Sequence, residues 1–541
     1  MPSCKKPGPV VYLLGLCLWL AGCGGGAPRP QSYTVSVTVT NLASNSGGLM
    51  LKDNLTDTLA INANGAFTFA TALPGNGRYS VTVSTQPSNP PQTCGVTNGS
   101  GIILGDVTNV QVDCSHNEWT WEGGSMNTEQ KSVYGALGEA SAANFPGARQ
   151  LPVTWTDISG NLWLFGGYGT DSTGARLLLN DLWEYSNGQW TWIGGSQFGS
   201  QKGVYGSLGT PSPSNFPGGR YEAASWVDAF GNLWLFGGSG FDAAGTEADL
   251  NDLWEYGKGE WTWMGGSDLA SQLPSYGTMG IASSTNMPGP RFEAVTWVDQ
   301  SGDFWLFGGF GRDSTGTIGL LNDLWKYSAG QWTWVSGPKL TNGSAVFGTR
   351  SVPAPGNIPG SRYSATSWVD LSGNLWLFGG TGYTTGSTNG MLDDLWKFSN
   401  GQWAWMGGSS NTYQIGVYGA RGTPSAANIP SARQNALGWT DASGSFWLFG
   451  GNCVYSSTLA GLCNDIWKYE NGQWTWMAGS NQINQPGAYG TLGAPEPDTV
   501  PGARTNFNGW IDAKGNLLLF GGYGVVGNTE GDLNDLWKYY P

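Results

Sequence analysis

The sequence is poor in groups that carry out acid–base and metal chemistry. It contains a single histidine, His116, and only 11% of its 541 residues are charged. Because the long repeated region beyond residue 118 contains no histidine, no Ser-His-Asp catalytic set can be assembled there. The 24 Lys and Arg residues form no basic run, and the formal net charge is −14. An acidic chain without a basic stripe argues against nucleic acid as a partner.

The first 22 residues predict an export signal. Two lysines precede an apolar run at 10–20, which is too short to span a bilayer as a mature helix. The Leu-Ala-Gly-Cys tetrapeptide ending at Cys23 resembles a bacterial lipobox, which implies cleavage before Cys23 and acylation of that residue. An ordinary signal peptide is the alternative. We expect a flexible tether at 23–32 and a lipid-anchored protein of the bacterial envelope, at the outer membrane or cell surface.

Cysteine is scarce as well, with seven residues in all. Two of them lie in the export signal and Cys23 is the lipidation site. The other four fall into two pairs that are local in sequence, Cys94 with Cys114 and Cys453 with Cys463. Such pairs are typical of disulfides in an oxidising compartment. The pairs lie in different predicted domains, so we expect no metal site built on cysteine.

Residues 33–115 predict a separate small β-sandwich. Several segments alternate apolar and polar residues with a period of two, and Asn64-Gly65 and Asn76-Gly77 provide turns between them. The stretch resembles the Ig-like modules that precede repeat domains in bacterial surface proteins. A spacer or stalk is the favoured interpretation, with a binding role as the alternative.

The abundant residues, 88 Gly and 30 Trp, belong mainly to a repeat. The sequence Gly-Asn-Leu-Trp-Leu-Phe-Gly-Gly at 160–167 returns with small changes every 71 residues, so that its Gly-Gly pairs begin at 166, 237, 308, 379, 450 and 521. A fixed period of this size marks a unit that buries its apolar faces against copies of itself.

Each unit predicts four strands, which we call a to d. Strand a follows an Arg and ends in Trp-x-Asp, and strand b is the Leu-Trp-Leu-Phe run. Strand c is Asn-Asp-Leu-Trp-Glu/Lys-Tyr, and strand d is Gln-Trp-Thr-Trp. Strand b is apolar on both sides, as a strand needs to be when sheets pack on both of its faces. This pattern favours a β-propeller, in which each unit is one blade.

The Gly-Gly doublet, the aromatic residue about 16 positions later and the following Trp resemble kelch repeats, as in the central domain of galactose oxidase. The resemblance covers 118–541 and implies a six-bladed propeller. The copper centre of galactose oxidase needs histidine ligands and a Cys–Tyr cross-link that this chain lacks, so we expect no cofactor. A lone strand d at 119–121 and a last unit that stops after strand c predict closure of the ring by the N-terminal strand.

The residues that recur in every unit are interpreted as structural. All 29 Trp residues beyond the export signal occupy repeat positions, and a sixfold core needs identical packing groups. An Arg and an Asp also recur in every unit, and we expect them to cap loops and pair between strands. A ring of arginines around the channel mouth is the alternative. The members are Arg149, Arg220, Arg291, Arg362, Arg433 and Arg504, with Asp181, Asp252, Asp323, Asp394, Asp465 and Asp535.

Ligand recognition is expected on one face of the propeller, where the b–c and d–a connections emerge. The b–c loops are about 14 residues long and the d–a loops about 27, and loops of that size commonly bind something. Asp171, Asp242 and Asp313 in these loops are predicted to form turns, because one carboxylate per loop is far from a calcium site. The candidate binding residues are those that differ between units, namely Tyr168, Phe310, Arg312, Tyr383, Tyr455 and Tyr523.

Two functions remain open from the sequence. The favoured one is a non-enzymatic propeller that binds a protein or a glycan through the long-loop face. The alternative rests on kelch propellers that epimerise sialic acid in the bacterial envelope. In that case Glu222 with Arg220, or Glu293 with Arg291, would act as general base and carboxylate clamp.

Overall fold

A computed structural model describes residues 31–541 apart from 43–47, 55, 88–91, 117, 387, 495, 497–498 and 513–514. The predicted export signal and the lipidation site Cys23 lie outside the described residues. Within that part of the chain the secondary structure is entirely β. No helix long and apolar enough to cross a membrane occurs among the described residues.

The N-terminal module consists of two four-stranded sheets and a small third one. Apolar side chains that alternate along the strands, such as Val37, Leu51 and Val112, are buried between the two larger sheets. The predicted Cys94–Cys114 disulfide is present. One sheet contains Gly65–Thr68, Val35–Thr40, Val107–His116 and Thr93–Thr97; the other contains Asp57–Ile61, Leu49–Asp53, Arg78–Thr85 and Ser100–Ile102; the third pairs Ser32–Tyr33 with Leu73–Pro74.

Each of the six repeats contributes an antiparallel sheet with strands in the order a, b, c, d, and we number these sheets 1 to 6. Strands a are Val153–Thr156, Ala224–Val227, Val295–Val298, Thr366–Val369, Leu437–Thr440 and Asn508–Ile511. Strands b are Leu162–Thr170, Leu233–Phe236, Phe304–Phe307, Leu375–Phe378, Phe446–Ser456 and Leu517–Val526. Strands c are Arg176–Ser186, Leu253–Gly257, Leu324–Ser328, Leu395–Ser399, Leu459–Glu470 and Thr529–Tyr540. Strands d of sheets 1 to 5 are Gln189–Gly194, Glu260–Gly265, Gln331–Ser336, Gln402–Gly407 and Gln473–Ala478.

The sheets form a closed ring in which each strand a contacts strand a of the sheets on either side. The ring closes as the sequence predicts: Glu118–Gly123 supplies strand d of sheet 6 by pairing with the C-terminal strand, with Trp121 opposite Trp537. An all-β ring of small antiparallel sheets is the arrangement of a β-propeller.

The tryptophans pack between neighbouring sheets, which confirms their structural interpretation. The Trp of each strand c is fully buried, and the first Trp of each strand d is at most 5% exposed. Between sheets 1 and 2, for example, Trp155 and Phe165 pack with Trp254 and Trp261. The indole N–H of Trp155 also donates to the Trp234 carbonyl of sheet 2 at 3.0 Å.

The Gly-Gly doublet is required where strand b leaves the core. Gly237 and Gly238 both have positive φ, at 66° and 88°. A Cβ on Gly237 would lie 2.8 Å from the Leu250 carbonyl oxygen and 2.9 Å from that of Arg291 in sheet 3. Gly238 in turn donates its N–H to the Arg291 carbonyl at 2.9 Å. The doublet therefore lets two sheets approach closely at the ring.

The b–c connections, which the sequence predicts to be loops, form regular hairpins. In sheets 1, 5 and 6 strands b and c continue past the glycines as one long hairpin, and in sheets 2 to 4 a separate short hairpin follows. Backbone pairing satisfies groups that a free loop would leave to water. A two-residue strand that begins at each repeat Arg joins these hairpins. The short strands are Ser239–Phe241, Glu247–Asp249, Phe310–Arg312, Ile318–Leu320, Thr381–Tyr383, Asn389–Met391, Arg149–Gln150, Arg220–Tyr221, Arg291–Phe292, Arg362–Tyr363, Arg433–Gln434 and Arg504–Thr505.

Candidate ligand-binding site at the ring axis

The six repeat arginines pair with the six repeat aspartates inside the sheets. Arg291 donates to both carboxylate oxygens of Asp323, at 2.7 and 2.9 Å, and its Nη1 also donates to the Gly308 carbonyl. Both side chains of this pair are completely buried. The same bidentate pair recurs in the other five sheets: Arg149–Asp181, Arg220–Asp252, Arg362–Asp394, Arg433–Asp465 and Arg504–Asp535. The recurring Arg and Asp residues therefore have a structural role, as expected, although they pair with each other within one unit.

This pairing removes the arginine half of the alternative enzymatic site. Arg220 and Arg291 use their guanidinium groups on aspartate and on backbone carbonyls, and neither side chain reaches solvent. They are therefore not available to clamp the carboxylate of a ligand. For the same reason the six arginines do not form a charged ring at the channel mouth.

The residues two positions after each arginine do meet at the ring axis, and we call this set the axial ring. All six have a left-handed backbone, with φ between 52° and 59°. Their backbones are linked around the axis: Glu222 N–H donates to the Leu151 carbonyl, Glu293 N–H to that of Glu222, and Ser364 N–H to that of Glu293, at 3.1 to 3.2 Å. The axial ring is Leu151, Glu222, Glu293, Ser364, Asn435 and Asn506.

Glu222 and Glu293 form a carboxyl pair within the axial ring. Burial raises the pKa of Glu222 well above its ordinary value, and the hydrogen-bonded neighbour Glu293 raises it further. Burial also raises the pKa of Glu293, although hydrogen bonds to its carboxylate oppose that effect. Two carboxyl groups this close do not both ionise readily, which agrees with the direction of both pKa shifts.

Polar side chains of the next sheets surround this pair. Asn435 donates from Nδ2 to Glu293 Oε1 at 3.3 Å and to Asn506 Oδ1 at 2.6 Å. Ser364 is only 8% exposed, and its hydroxyl makes no hydrogen bond of ordinary geometry although it lies close enough to lower the pKa of Glu293. A buried hydroxyl without a full partner is a group that a ligand can satisfy.

The axial ring borders a cavity of about 180 Å³, which is lined by its six members and by the residues that follow them. A cavity of this size has room for a small polar group.

An arc of four aromatic rings lies beside the carboxyl pair, and we call it the aromatic arc. Its members are Tyr221, Phe292, Phe310 and Tyr363, with successive ring centroids 6.5, 5.2 and 6.5 Å apart. Burial raises the pKa of Tyr221 and Tyr363, and the charge of Glu222 contributes to both shifts. The phenols thus lie within electrostatic reach of the pair. We call the aromatic arc and the axial ring together the axial cup; of the two, the axial ring lines the cavity and the aromatic arc adjoins it.

Two further charged groups adjoin the aromatic arc. Asp249 contributes to the raised pKa of Glu222 and has a raised pKa itself, because of burial, which the charge of Arg312 partly offsets. Arg312 donates to the Gly316 carbonyl at 3.2 Å. The predicted binding residues Phe310 and Arg312 therefore both lie on this side of the axial cup.

On the side of the axial cup away from the aromatic arc, polar side chains are linked by hydrogen bonds and an ion pair. Asn506 donates to Gln150 Oε1 at 2.7 Å, and Gln150 donates to Asp532 Oδ1 at 2.5 Å. Asp532 also pairs with Arg176 at 2.6 Å, and that guanidinium lies 4.7 Å from the Tyr168 ring centre. Tyr168 is thus joined to the axial ring through charged and amide groups.

The remaining predicted binding residues lie elsewhere on the hairpins. Tyr383 is partly buried in Thr381–Tyr383. Tyr455 is 37% exposed and donates to Gln482 Oε1, while Tyr523 donates to Glu530 Oε2 at 3.4 Å. The hairpin of Tyr455 carries the predicted Cys453–Cys463 disulfide, which is present.

The loop aspartates form turns, as predicted. Asp171 accepts hydrogen bonds from Thr173 N–H and Oγ1 and from Ala175 N–H, at 2.6 to 3.1 Å. Asp313 repeats this pattern with Thr315 and Thr317. Among the residues that the structure describes, no three His, Cys, Asp or Glu side chains are grouped so that they could hold a metal ion.

The sequence predicts functional roles for Glu222, Glu293 and Phe310 but not for their partners Ser364, Asn435, Asn506 and the rest of the aromatic arc. A signal for them exists in the sequence. The two positions after each repeat Arg read Gln-Leu, Tyr-Glu, Phe-Glu, Tyr-Ser, Gln-Asn and Thr-Asn, although the flanking residues recur. Variation inside a strictly repeated frame marks positions that do not serve the common core.

No protein-family model matches the sequence, and no curated protein matches it. Among solved structures it is similar to YjhT, with 14% identity, a TM-score of 0.41, and coverage of 72% of this chain and 95% of that one. It is also similar to a fungal alcohol oxidase of the AA5 family in complex with copper, with 13% identity, a TM-score of 0.40 and coverage of 75% and 77%.

A third similar structure is a protein of unknown function from Bacteroides thetaiotaomicron, with 11% identity, a TM-score of 0.42, and coverage of 95% of this chain and 99% of that one. All three TM-scores are below 0.5. These likenesses therefore support no argument about activity or ligand.

Proposed function

We propose that this protein is a non-enzymatic, six-bladed kelch-type propeller that binds a glycan in its axial cup. The observation that carries the proposal is the asymmetry of the cup: a carboxyl pair and amides at the axis, with the aromatic arc on one side. A sugar presents C–H groups on its ring faces and hydroxyl groups at its edge. An aromatic surface beside groups that both donate and accept hydrogen bonds complements these two kinds of surface.

The size of the site favours the end or a single residue of a glycan over a folded protein. The cavity has a volume of about 180 Å³ and lies at the axis rather than across the broad face. A stable protein interface instead covers roughly 800 Å² on each partner. Of the two ligand classes that the sequence leaves open, the axial cup fits the glycan.

The proposal includes the cellular setting that the sequence predicts. Acylated Cys23 anchors the chain in the bacterial envelope, and the Ig-like sandwich acts as a spacer between the anchor and the propeller. The two disulfides support an oxidising compartment. A Cys23→Ser variant is expected to abolish labelling by radioactive palmitate, whereas globomycin, which blocks lipoprotein signal cleavage, is expected to leave a labelled protein of the larger, uncleaved size.

The binding experiment is a glycan array probed with soluble residues 31–541, followed by calorimetry on the hits. Phe310→Ala, which opens the aromatic arc, is expected to lower the affinity about tenfold or more, because it removes one stacking surface. Phe198→Ala is the matched control, since Phe198 is 55% exposed and lies outside the axial cup. A glycan that binds both variants equally well would show that the axial cup is not the site.

Catalysis of anomer exchange is a second candidate. One carboxyl group of the Glu222–Glu293 pair would take the proton of the anomeric hydroxyl while the other protonates the ring oxygen, so that the ring C–O bond breaks and then closes on the other face of the carbonyl. The buried arginines give an acidic sugar no clamp, so this activity would act on a sugar without a carboxylate. Anomer exchange measured by NMR tests it. Exchange above the buffer rate that is lost in Glu293→Gln would establish an enzyme in place of a passive binder.

A further inference from the structure

The charge of the axial cup narrows the class of ligand, an inference that rests on the proposed glycan binding. Two neighbouring carboxyl groups, those of Glu293 and Asp249, act on the carboxyl group of Glu222 in the cup and raise its pKa. The arginines nearest in sequence, Arg220 and Arg291, are neutralised by their buried aspartates. Arg312 lies close enough to offset part of the Asp249 effect. The environment of the carboxyl pair is therefore electronegative.

The buried Ser364 hydroxyl is an independent sign of a ligand at this point. Ser364 lines the same cavity as Glu222 and Glu293, is 8% exposed, and makes no hydrogen bond of ordinary geometry. A hydroxyl oxygen accepts hydrogen bonds as the carboxylates do. The three side chains together thus present acceptors to one donor-rich group.

The aromatic arc adds attraction of the same sign. Aromatic faces carry negative charge density, and a cation within about 6 Å of a ring centre is attracted to it. Tyr221 and Tyr363 lie within electrostatic reach of the Glu222 carboxyl group. A cation at the carboxyl pair would therefore have aromatic rings close by.

We infer that the axial cup recognises a protonated primary amine, so that the bound glycan ends in an amino sugar with a free amino group. An ammonium group has three donors and no acceptor, which matches the acceptors of Glu222, Glu293 and Ser364. An N-acetyl group in its place would lose the positive charge, and a carboxylate would be repelled. A neutral hydroxyl would use the hydrogen bonds but gain nothing from the charge.

Calorimetry with matched sugars tests the inference: glucosamine, glucose, N-acetylglucosamine and glucuronic acid, together with the same set built on galactose. The free amino sugar of at least one set is expected to bind at least tenfold more tightly than its neutral counterpart, with glucuronic or galacturonic acid the weakest of its set. Equal or tighter binding of glucose or galactose would overturn the inference and leave the proposed glycan binding intact. A failure of every sugar to bind, together with an empty glycan array, would overturn both.

Substitutions in the axial cup test which side chains give the preference for an amino sugar. Glu293→Gln is expected to reduce the affinity ratio of amino sugar to neutral sugar at least tenfold, and Ser364→Ala is expected to reduce it to a smaller extent. Glu139→Gln makes the same chemical change at an exposed position outside the axial cup and is expected to leave the ratio unchanged. Glu222→Gln replaces Glu293→Gln if the latter does not fold. A ratio that survives both glutamine variants would contradict the assignment.

Discussion

Two sets of residues only two positions apart in the repeat behave in opposite ways. The repeat arginines are identical in all six units, completely or almost completely buried, and each is paired with an identical aspartate. The axial ring that follows them contains Leu, two Glu, Ser and two Asn, all at one backbone conformation. The comparison teaches that residues identical in all six units hold the ring together. Recognition of an asymmetric ligand instead needs positions at which the units differ.

The largest expected effect on stability comes from removing one of the repeat arginines. Arg291→Ala leaves the Asp323 carboxylate buried without its counter-charge, and such a change costs about 3–5 kcal/mol of unfolding free energy. Lys326→Ala is the control, because its pair with Asp303 at 2.9 Å is partly exposed and is worth about 0–1 kcal/mol. Thermal or urea denaturation measures both. Equal losses would mean that burial does not set the value of these pairs.

A second prediction concerns the pH dependence of stability that the axial ring imposes. The pKa of Glu222 is raised on folding, so the folded protein holds more protons than the unfolded chain above about pH 4.5. Its contribution therefore falls as pH rises through that region. Glu222→Gln removes this contribution and is expected to raise the melting temperature at pH 8 but not at pH 4.

Melting temperatures of both proteins from pH 4 to pH 8 check this prediction. Glu118 and Asp393, whose pKa values burial raises to about 7, contribute equally to both curves. Glu139→Gln, at an exposed site, controls for loss of one charge. Parallel curves for the wild type and Glu222→Gln would contradict the raised pKa.

The smallest expected effect concerns a tyrosine that joins the Arg–Asp pair in five of the six units. Tyr276 donates its hydroxyl to Asp323 at 2.7 Å, and tyrosines do the same in sheets 1, 2, 5 and 6. Sheet 4 has Phe347 at this position, packed on Trp396 as Tyr276 packs on Trp325.

Phe347→Tyr is therefore expected to stabilise the protein by about 1 kcal/mol through a new hydrogen bond to Asp394, and Tyr276→Phe to destabilise it by a similar amount. Denaturation midpoints compare the two variants with the wild type. Stabilisation by Tyr276→Phe would show that the hydroxyl is dispensable to the framework.

Much of the fold follows from the sequence because six copies of one pattern show which residues every unit needs. A Leu-Trp-Leu-Phe strand that is apolar on both sides has to be covered on both faces, and a lone strand d at one end matches a missing strand d at the other. The hairpins were harder to predict. Their pairing depends on the glycine doublet approaching the next sheet, as Gly238 does with Arg291, and this contact lies outside any single unit.

The candidate site was only partly predictable. Glu222 and Glu293 stood out as unusual residues after the repeat arginines, but they were paired with the wrong partners. In sequence Arg220 is the nearest cation to Glu222, whereas in the folded protein it is held by Asp252 at 2.7 Å and Glu222 faces Glu293, 71 residues away. Proximity along the chain misled because Glu222 lies just beyond the strand Arg220–Tyr221 and has a left-handed backbone, so the alternation of a regular strand does not extend to it.

By itself the sequence determined the number of units, the strand order within a unit, the way in which the ring closes and the absence of histidine from its interior. These properties depend on local pattern and composition. Only the tertiary structure decided that residues 71 positions apart meet at one axis, where the six variable positions form the axial ring. The physical reason is that closing the ring brings equivalent positions of all six units to one axis. The residues that differ between units meet there, whereas the residues that all units share stay within the sheets.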